Sequence, residues 1–416
     1  MIIKRDFYLN QLIERMHNGM IKVITGLRRS GKSYLMNKLF YEYLKSIGIN
    51  DDHIIMLQFD VEENEGLLDR HVLAEYLRNR LTDNEQYYFL LDEIQEVDQF
   101  EKVLNSFLRK ENVDLYVTGS NSRFLSTDIK TELRGRGDEI HVYPLSFAEF
   151  YSAKQGNIDD AWNEYMIYGG LPMILSRSSE EQKSRYLKDL FDETYIKDIV
   201  ERNKVRNISD LEDLIDVIAS SIGSLANPNR ISNTFLSVKK TTVDPQTVRN
   251  YLVYLENAFL LSEVKRYDVR GRKYINTPLK YYFEDIGIRN ARLNFRQLEE
   301  PHLMENIVYN ELRMRGYNID VGVVETNERE EDRYIRKQLE IDFIANKGSN
   351  KYYIQVAQGL SAPGKREQET ASLIKVRDGF KKVLIRKDNP VSYIDEDGIY
   401  NLNLYDFLLG RKDLNN

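Results

Sequence analysis

The chain has 416 residues, no cysteine and a formal net charge of -7. The lack of cysteine excludes disulfides, thiolate metal sites and cysteine nucleophiles, and the acidic charge argues against a protein that coats nucleic acid over its whole surface. The length predicts about two to four domains. No segment reaches the roughly 20 apolar residues of a membrane span, and residues 1–5 lack the apolar core of a signal peptide. We therefore expect a cytoplasmic protein without a membrane partner.

The first predicted strand leads directly into a glycine-rich loop. Residues 21–24 are mostly β-branched, 26–33 read GLRRSGKS, and 34–43 have helical periodicity. This strand, loop and helix fit the P-loop pattern G-x-x-x-x-G-K-[ST], whose backbone N–H groups surround the phosphates of ATP. Lys32 is predicted at the β- and γ-phosphates and the Ser33 hydroxyl on Mg²⁺. The predicted nucleotide contacts are Gly26, Leu27, Arg28, Arg29, Ser30, Gly31, Lys32, Ser33 and Tyr34.

A second apolar run ends in two acids. Residues 87–91 read YYFLL, which is typical of a strand buried on both faces, and Asp92 and Glu93 follow. Both carboxylates are therefore expected at the carboxyl edge of a sheet, beside the P-loop. Asp92 is predicted to hold Mg²⁺, and Glu93 to orient or deprotonate an attacking water. An acid beside the metal ligand favours water as the acceptor, and therefore hydrolysis of ATP.

Two more predicted strands, 53–59 and 114–118, extend this sheet. Ser120 and Asn121 follow the second of these strands. A polar side chain at that point can lie between the carboxylate pair and the γ-phosphate, so both residues are candidate sensors of nucleotide, with Asn121 as a catalytic candidate. The alternative is a simple polar turn.

Two arginines, Arg134 and Arg136, precede the last predicted strand of this region, 139–143. An arginine here could stabilise charge on the transferring phosphoryl group, either in its own subunit or across a subunit interface. A solvated surface arginine is the alternative. The oligomeric state stays open, and action across an interface requires an oligomer.

Together these motifs resemble a known family, the prokaryotic AAA-type ATPases of the STAND-related group, whose members carry a nuclease-like C-terminal domain of unknown function. The resemblance rests on TGLRRSGKS at 25–33, LDEIQ at 91–95, TGSNS at 118–122, GR at 135–136, PLSFAEF at 144–150 and YGGLP at 168–172. It implies a sheet in which the sensor strand separates the carboxylate strand from the P-loop strand. It also implies that Gly170, Leu171 and Pro172 lie near the bound nucleotide, with Pro172 as a contact.

The middle of the chain is predicted to be helical. Residues 161–205, broken at 169–172, suit a lid on the nucleotide site. Further helices and a basic hairpin around 268–272 describe a winged helix. As a DNA reader, its helix at 243–256 would enter the major groove, and Arg270 and Arg272 would touch phosphates. The exposed positions of that helix are a mixed set that includes Glu256, and winged helices also act as spacers between proteins, so both a DNA and a protein partner stay open.

The last region offers a second chemistry. Glu305 on a helix, Asp342 on one strand and Gln355 on the next follow the layout of PD-(D/E)xK nucleases, in which two carboxylates bind a divalent metal and a lysine assists the water. Here Gln355 stands where an acid is usual, and Ala357 stands where the lysine is needed. The next lysine along the chain is Lys365. We therefore predict a degenerate nuclease site on a fold retained for binding.

The predicted architecture is α/β: an AAA-type ATPase core (1–150), a helical lid (151–205), a winged helix (206–297) and a restriction-endonuclease-like α/β domain (298–416). The predicted function is a molecular switch that binds ATP and Mg²⁺, hydrolyses ATP and passes the nucleotide state to the C-terminal modules. One alternative is a scaffold for DNA or protein that holds nucleotide with little turnover. Another is an ATP-regulated DNA nuclease.

Overall fold

The structure, a computed structural model, describes residues 3–119, 135–236, 243–330 and 333–415, without the side chains of 327–335. The chain forms two compact units. The first consists of Met1–Pro144, Leu171–Met173 and Asn257–Phe259, and the second of Leu145–Gly170, Ile174–Glu256 and Leu260–Asn416. Within the described ranges, no helix has the length and apolarity needed to cross a membrane.

The described part of the first unit contains a five-stranded parallel sheet. Its strands are β1 (Ile21–Thr25), β2 (Ile54–Gln58), β3 (Tyr87–Asp92), β4 (Val113–Thr118) and β5 (Gly137–His141), in the order β2-β3-β4-β1-β5. The central strands are near-continuous apolar runs, and every residue of β3 and β4 is buried, as expected where helices cover both faces. The α/β fold is confirmed, and β4 separates the carboxylate strand β3 from the P-loop strand β1.

The helices of the first unit follow the strands. They are α1 (Asp6–Glu14), α2 (Lys32–Tyr34), α3 (Tyr41–Ser46), α4 (Arg70–Arg80) and α5 (Phe100–Phe107). A π-helical turn, Leu35–Phe40, joins α2 to α3, and short 3₁₀ turns lie at Asp51–His53, Glu62–Leu67 and Ile94–Glu96. Side chains of α4 and α5 pack on β2, β3 and β4 to form the main apolar core, in which the rings of Phe89 and Phe107 lie 5.3 Å apart.

The second unit begins with helices, as the periodicity predicts. They are α6 (Phe147–Lys154), α7 (Ile158–Tyr168), α8 (Glu180–Leu190), α9 (Lys197–Asn203), α10 (Ile208–Ser220), α11 (Pro228–Thr234), α12 (Pro245–Asn257), α13 (Ile286–Arg292), α14 (Glu300–Met314), α15 (Lys365–Lys375) and α16 (Leu404–Leu408). A 3₁₀ turn lies at Pro172–Ser176 and a π-helical turn at Phe191–Ile196. Local sequence sets their starts: Ser146 and Glu149 form a capping box at α6, and Pro228 and Pro245 occupy first turns.

Among the described residues, the second unit also contains a mixed sheet of eight strands. They are β6 (Leu261–Asp268), β7 (Lys273–Phe283), β8 (Asn318–Glu330), β9 (Arg333–Lys347), β10 (Asn350–Ala357), β11 (Lys381–Arg386), β12 (Tyr393–Ile394) and β13 (Ile399–Asn403). Their order is β12-β13-β11-β10-β9-β8-β6-β7. One face of this sheet packs against α15 through residues such as Tyr353, Leu373 and Leu384.

The basic hairpin predicted around 268–272 exists, but it differs from the expected wing in one respect. β6 and β7 pair antiparallel up to Asp268 and Lys273, and β6 also pairs in parallel with β8. The hairpin therefore extends the C-terminal sheet, and the predicted domain boundary at 297 runs through one sheet. A two-stranded hairpin gains little stability alone, whereas pairing with β8 satisfies its backbone groups. Parallel pairing between distant segments leaves no local signal in the sequence.

Candidate functional site

Glycines and one strained arginine shape the loop after β1. Gly26 has φ +133°, and a methyl group added there would lie 2.2 Å from the carbonyl oxygen of Val142, so only glycine fits. Arg29 and Gly31 have φ of +69° and +101°. A left-handed conformation is costly for a residue with a side chain, and such residues gather at functional sites. The loop turns sharply and delivers the chain to α2 at Lys32, as a P-loop requires.

Lys32 lies within the curve of this loop. Its side chain is buried, and its Nζ donates hydrogen bonds to the carbonyl oxygens of Gly26 and Leu27 at 3.0 and 3.1 Å. These partners are dipoles without net charge, so an anion that entered the loop would compete well for the ammonium group. This position suits the predicted role of Lys32 toward the β- and γ-phosphates.

Asp92, at the end of β3, is the centre of a hydrogen-bond network. One carboxylate oxygen accepts hydrogen bonds from the Ser33 hydroxyl at 3.1 Å and from the Thr118 hydroxyl, and the other accepts from Asn37 Nδ2 at 2.9 Å. Burial raises the pKa of Asp92, and the hydroxyl donors lower it in part. The two predicted magnesium ligands, Ser33 and Asp92, thus touch each other. The sequence analysis gave no role to Asn37 or to Thr118, although one lies a helical turn after Ser33 and the other ends β4.

Glu93 follows in a strained conformation, with φ +52°. Its backbone N–H donates to the Thr118 hydroxyl at 2.9 Å, and its carboxylate accepts a hydrogen bond from the Gln95 side chain. This left-handed residue turns the chain out of β3, and its side chain is half-buried. Gln95 limits the positions that this carboxylate can take.

The remaining predicted residues of the first unit fall in different places. Ser120, Asn121 and Arg134 lie outside the described residues. Arg136 precedes β5: its carbonyl accepts from Ile21 N–H and its guanidinium donates to Asn105 at 3.0 Å. This is the amino edge of the parallel sheet, one strand length of roughly 16 Å from the loop. This placement gives no support to a role toward phosphates of its own subunit, and the role of Arg136 stays a prediction that favours action across a subunit interface.

The Gly-Gly-Leu-Pro turn joins the two units along the chain. In the first unit, Pro172 lies beside the loop, since a methyl group added at Gly31 would lie 3.7 Å from its ring. In the second unit, the N–H of Gly170 donates to Asp285 at 2.8 Å. Asp285 is fully buried at the N-cap of α13; burial raises its pKa to about 6, against the lowering effect of backbone N–H donors. Sequence reasoning did not single out Asp285.

The nuclease-like residues of the second unit do meet, and a lysine joins them. Lys280 on β7 is buried, and its Nζ lies 3.0 Å from Glu305 and 2.7 Å from Glu340. Asn306 bonds both backbone groups of Phe283, which holds α14 against β7. Burial opposes the charge of Lys280, but the neighbouring carboxylates outweigh it and raise its pKa. Ala357 stands where the lysine is needed, and β7 brings a lysine to the cluster from another part of the chain.

The cluster does not fit a divalent metal. Glu305 accepts from the Tyr282 hydroxyl at 2.5 Å as well as from Lys280. Asp342 accepts from the N–H of Val356 at 2.8 Å, and burial followed by the charge of Glu305 raises its pKa well above the usual range. Over the ranges that the structure describes, no three acidic or histidine side chains are arranged to hold a metal ion. An ammonium group already supplies the positive charge.

Gln355 takes a smaller part in this cluster. Its side-chain oxygen accepts from the N–H of Asp342 at 3.4 Å, and its amide lies 3.5 Å from Glu369. These long contacts keep Gln355 beside Asp342, as the strand pattern predicts, but they give it no group that could activate a water.

The residues predicted to touch DNA differ in their surroundings. The guanidinium of Arg270 donates to the carbonyls of Glu325 and Lys375 at 2.8 and 3.2 Å, so it has partners within the protein. Glu256 is half-buried, and burial followed by the charge of Glu263 raises its pKa to about 7. The exposed residues of α12 are instead Gln246, Arg249, Asn250, Val253 and Asn257. Arg272 is exposed.

Comparison with known proteins finds matches for two separate regions of the chain. Residues 18–151 match a family model described as an AAA domain, and residues 159–299 match one described as a domain of unknown function (DUF8612). An uncharacterized protein of Haemophilus influenzae is 36% identical over 414 residues, which cover 98% of this chain and 99% of that protein. An uncharacterized protein of Methanocaldococcus jannaschii is 29% identical over 395 residues, covering 91% and 83%.

A solved structure, the Walker-type ATPase of Pyrococcus abyssi, is 16% identical with a TM-score of 0.49, covering 70% of this chain and 96% of that one. That likeness is too distant to say anything of function. The parallel sheet, its glycine loop and the matching AAA domain define a P-loop protein of the AAA ATPase class. The chain belongs to the family that includes the Haemophilus influenzae protein, and in this chain the AAA domain precedes a domain of unknown function.

Proposed function

We propose that this protein binds ATP with Mg²⁺ at residues 26–33 and hydrolyses it. The observation that carries the proposal is the contact between Ser33 and Asp92 at 3.1 Å, beside the buried Lys32. A hydroxyl and a carboxylate at this edge of a parallel sheet are suited to hold Mg²⁺ directly or through water. Mg²⁺, when bound, neutralises charge on the β- and γ-phosphates.

The chain's own residues divide the remaining work. Lys32 exchanges the carbonyls of Gly26 and Leu27 for phosphate oxygens, which is favourable because a charged acceptor replaces neutral ones. Glu93 orients the attacking water and accepts its proton, and its bond with Gln95 restricts the carboxylate to a few positions. Asn37 and Thr118 hold Asp92 in place.

The proposed switch uses the turn at 169–172. Pro172 lies beside the P-loop in the first unit, and Asp285 fixes Gly170 in the second. A shift of the loop on phosphate binding would thus act on a chain segment whose other end is fixed. We propose the lid at 151–205, the winged helix at 206–297 and the nuclease-like domain at 298–416 as the modules that respond, the last two sharing one sheet.

A DNA partner is favoured by one specific observation. The isolated bridge between Ala226 and Leu279 ties the segment before α11 to the hairpin, so helix, bridge, helix, helix and hairpin follow one another as in a winged helix. The exposed amide and guanidinium groups of α12, at Gln246, Arg249 and Asn250, are of the kinds that read base edges. In this proposal Arg272 contacts phosphate and Arg270 does not.

The test is ATP turnover by the wild-type protein and by Lys32→Ala, with Lys38→Ala as the matched control. Lys38 lies on the same helical segment, is exposed and pairs with Glu42. We expect Lys32→Ala to lose at least about 100-fold in turnover, since removing a group that stabilises transition-state charge costs roughly 3 kcal/mol, and Lys38→Ala to match the wild type. The assay is repeated with a DNA duplex, with Arg249→Ala to test α12.

Two results would decide against hydrolysis as the function. Wild-type turnover by a folded Lys32→Ala variant would contradict it directly. Bound ADP that survives purification, together with negligible turnover by the wild type, would instead support the scaffold that holds nucleotide. Stimulation of turnover by DNA that Arg249→Ala abolishes would support the DNA partner, and its absence would favour a protein partner.

A further inference from the structure

Arg5, just before α1, has no part in the mechanism above, yet it touches the P-loop. Its side chain is 3% exposed, and its guanidinium bridges two main-chain carbonyls. Nη1 donates to Ser30 at 3.0 Å and Nη2 donates to Tyr143 at 2.7 Å. The guanidinium also stacks over the ring of Tyr8, 4.5 Å from its centroid. Because these contacts fix the guanidinium on several sides, it can in turn restrain the two carbonyls to which it donates.

The two ends of the P-loop rest on the same stretch of chain after β5. At the near end, Val142 N–H donates to Thr25 at 2.8 Å, and Gly26 packs directly on Val142. At the far end, Arg5 ties Ser30 to Tyr143, whose N–H also donates to the Tyr8 hydroxyl at 3.2 Å. Arg5 therefore anchors the far end of the loop, as strand pairing anchors its near end.

The far end of the loop is where such support has the largest consequence. Ser30 stands between Arg29 and Gly31, both with left-handed backbone. Its own N–H donates to the Leu27 carbonyl at 3.1 Å, so the N–H groups that a phosphate would meet are those from Gly31 into α2. Strained backbone persists only where its surroundings fix it. A loop fixed in advance binds its ligand more tightly, because less ordering remains to be done on binding.

We infer that Arg5 is a positioning residue for nucleotide binding, which holds Ser30 in the conformation that presents the following N–H groups, from Gly31 into α2, to the phosphates. The inference rests on the proposed function. Arg5 acts on the shape of the loop, through carbonyls that take no part in the reaction. Its loss should therefore weaken binding of the ground state and of the transition state equally, so that KM rises and kcat does not change.

The experiment compares Arg5→Met, Arg5→Lys and the control Lys4→Met, which removes the exposed neighbouring cation. Kd for MgADP is measured by calorimetry, and KM and kcat for MgATP by phosphate release. We expect Arg5→Met to raise Kd and KM about tenfold or more, as the loss of two hydrogen bonds predicts, with kcat within about twofold. Arg5→Lys should recover part of the affinity, because one ammonium cannot bridge both carbonyls. Lys4→Met should match the wild type.

Several outcomes would overturn the inference. Wild-type Kd and KM in Arg5→Met would show that the loop needs no such support. A fall in kcat with unchanged Kd would place Arg5 on the transferring phosphoryl group. If circular dichroism shows that Arg5→Met is unfolded, Arg5→Lys decides, and equal affinity of Arg5→Lys and Lys4→Met contradicts the inference. Failure of the wild type itself to bind nucleotide, with Lys32→Ala as the reference, would refute the proposed function and the inference with it.

Discussion

The two candidate sites of this protein each contain a buried lysine, and different partners hold the two ammonium groups. In the first unit, Lys32 donates to the main-chain carbonyls of Gly26 and Leu27. In the second unit, Lys280 donates to the carboxylates of Glu305 and Glu340. Carbonyl oxygens are dipoles, and carboxylates carry charge, so the second lysine is bound far more strongly in a buried place. In the proposed function a phosphate takes Lys32 from these two carbonyls, whereas carboxylates already neutralise Lys280.

This difference separates the proposed anion site at Lys32 from the cluster around Lys280. Around Lys280, the acids outnumber the base even when the buried Asp342 carries its proton. A phosphodiester would therefore meet net negative charge there, and no metal ligand set offsets it within the described residues. A lysine beside carboxylates is thus no sign of catalysis by itself. Its hydrogen-bond partners decide whether it can act on a substrate.

The largest expected effect is on folding. Lys280→Met leaves Glu305 and Glu340 without their cation and should lower the free energy of unfolding of the second unit by about 3–5 kcal/mol. The single tryptophan, Trp162, is buried in that unit, so its fluorescence in urea reports this loss. Lys273→Met, at an exposed position of the same strand, is the control and should stay within about 0.5 kcal/mol of the wild type.

Equal stability of Lys280→Met and Lys273→Met would contradict the comparison, because Glu305 and Glu340 would then not need the charge of Lys280. The corresponding lysine-to-methionine substitution in the first unit tests the other side of the comparison. Lys32→Met should cost only about 1 kcal/mol in stability, since it removes hydrogen bonds to neutral carbonyls.

What the sequence predicted well was local. The P-loop, Asp92 and Glu93 stand in contiguous motifs at the ends of apolar strands, so strand pattern and motif together place them on one edge of the sheet. The same rule could have indicated the edge at which Arg136 lies. Functional side chains of parallel sheets follow strands, and Arg136 precedes β5, so it belongs to the opposite edge.

What the sequence did not show depends on distant segments. Lys280 reaches Glu305 because β7 and α14 pack together, and Arg5 reaches Ser30 because α1 begins beside the loop. Neither lysine nor arginine belongs to a spaced pattern, and a lone basic residue is usually a surface residue. The attachment of β6 to β8 is likewise invisible locally, because the alternation in β6 predicts a strand but not its neighbour.

A second prediction concerns Asp285, a buried acid of the second unit. Burial raises the pKa of Asp285 to about 6, against about 4 in the unfolded chain, which corresponds to ~3 kcal/mol. Because the folded state binds the proton more tightly, this stabilisation is complete below about pH 4 and is lost as the pH rises through 6. Asp285→Asn cannot titrate. The free energy of unfolding of the wild type, relative to that of this variant, should therefore fall by up to ~3 kcal/mol between about pH 4 and pH 7.

Urea unfolding followed by Trp162 at a series of pH values measures this difference. Asn offers one acceptor oxygen where Asp offers two, so the variant also loses a constant amount that is independent of pH. A difference that did not change with pH would show that the backbone donors of Gly170 and Ile288 offset the burial of the carboxylate.

The smallest expected effect tests whether a divalent metal can bind at the carboxylates that now hold Lys280. In the absence of nucleotide, MgCl₂ or MnCl₂ should change the free energy of unfolding of the second unit by less than about 0.5 kcal/mol relative to EDTA, because a cation that does not bind the folded state cannot stabilise it. DNA incubated with either metal should stay intact. The reading is urea unfolding followed by Trp162, with Asp342→Asn as the matched variant. Stabilisation of the wild type by more than ~1 kcal/mol that Asp342→Asn abolishes would mean that Lys280 yields its place to a metal, and the two lysines would then be alike in giving way to a ligand.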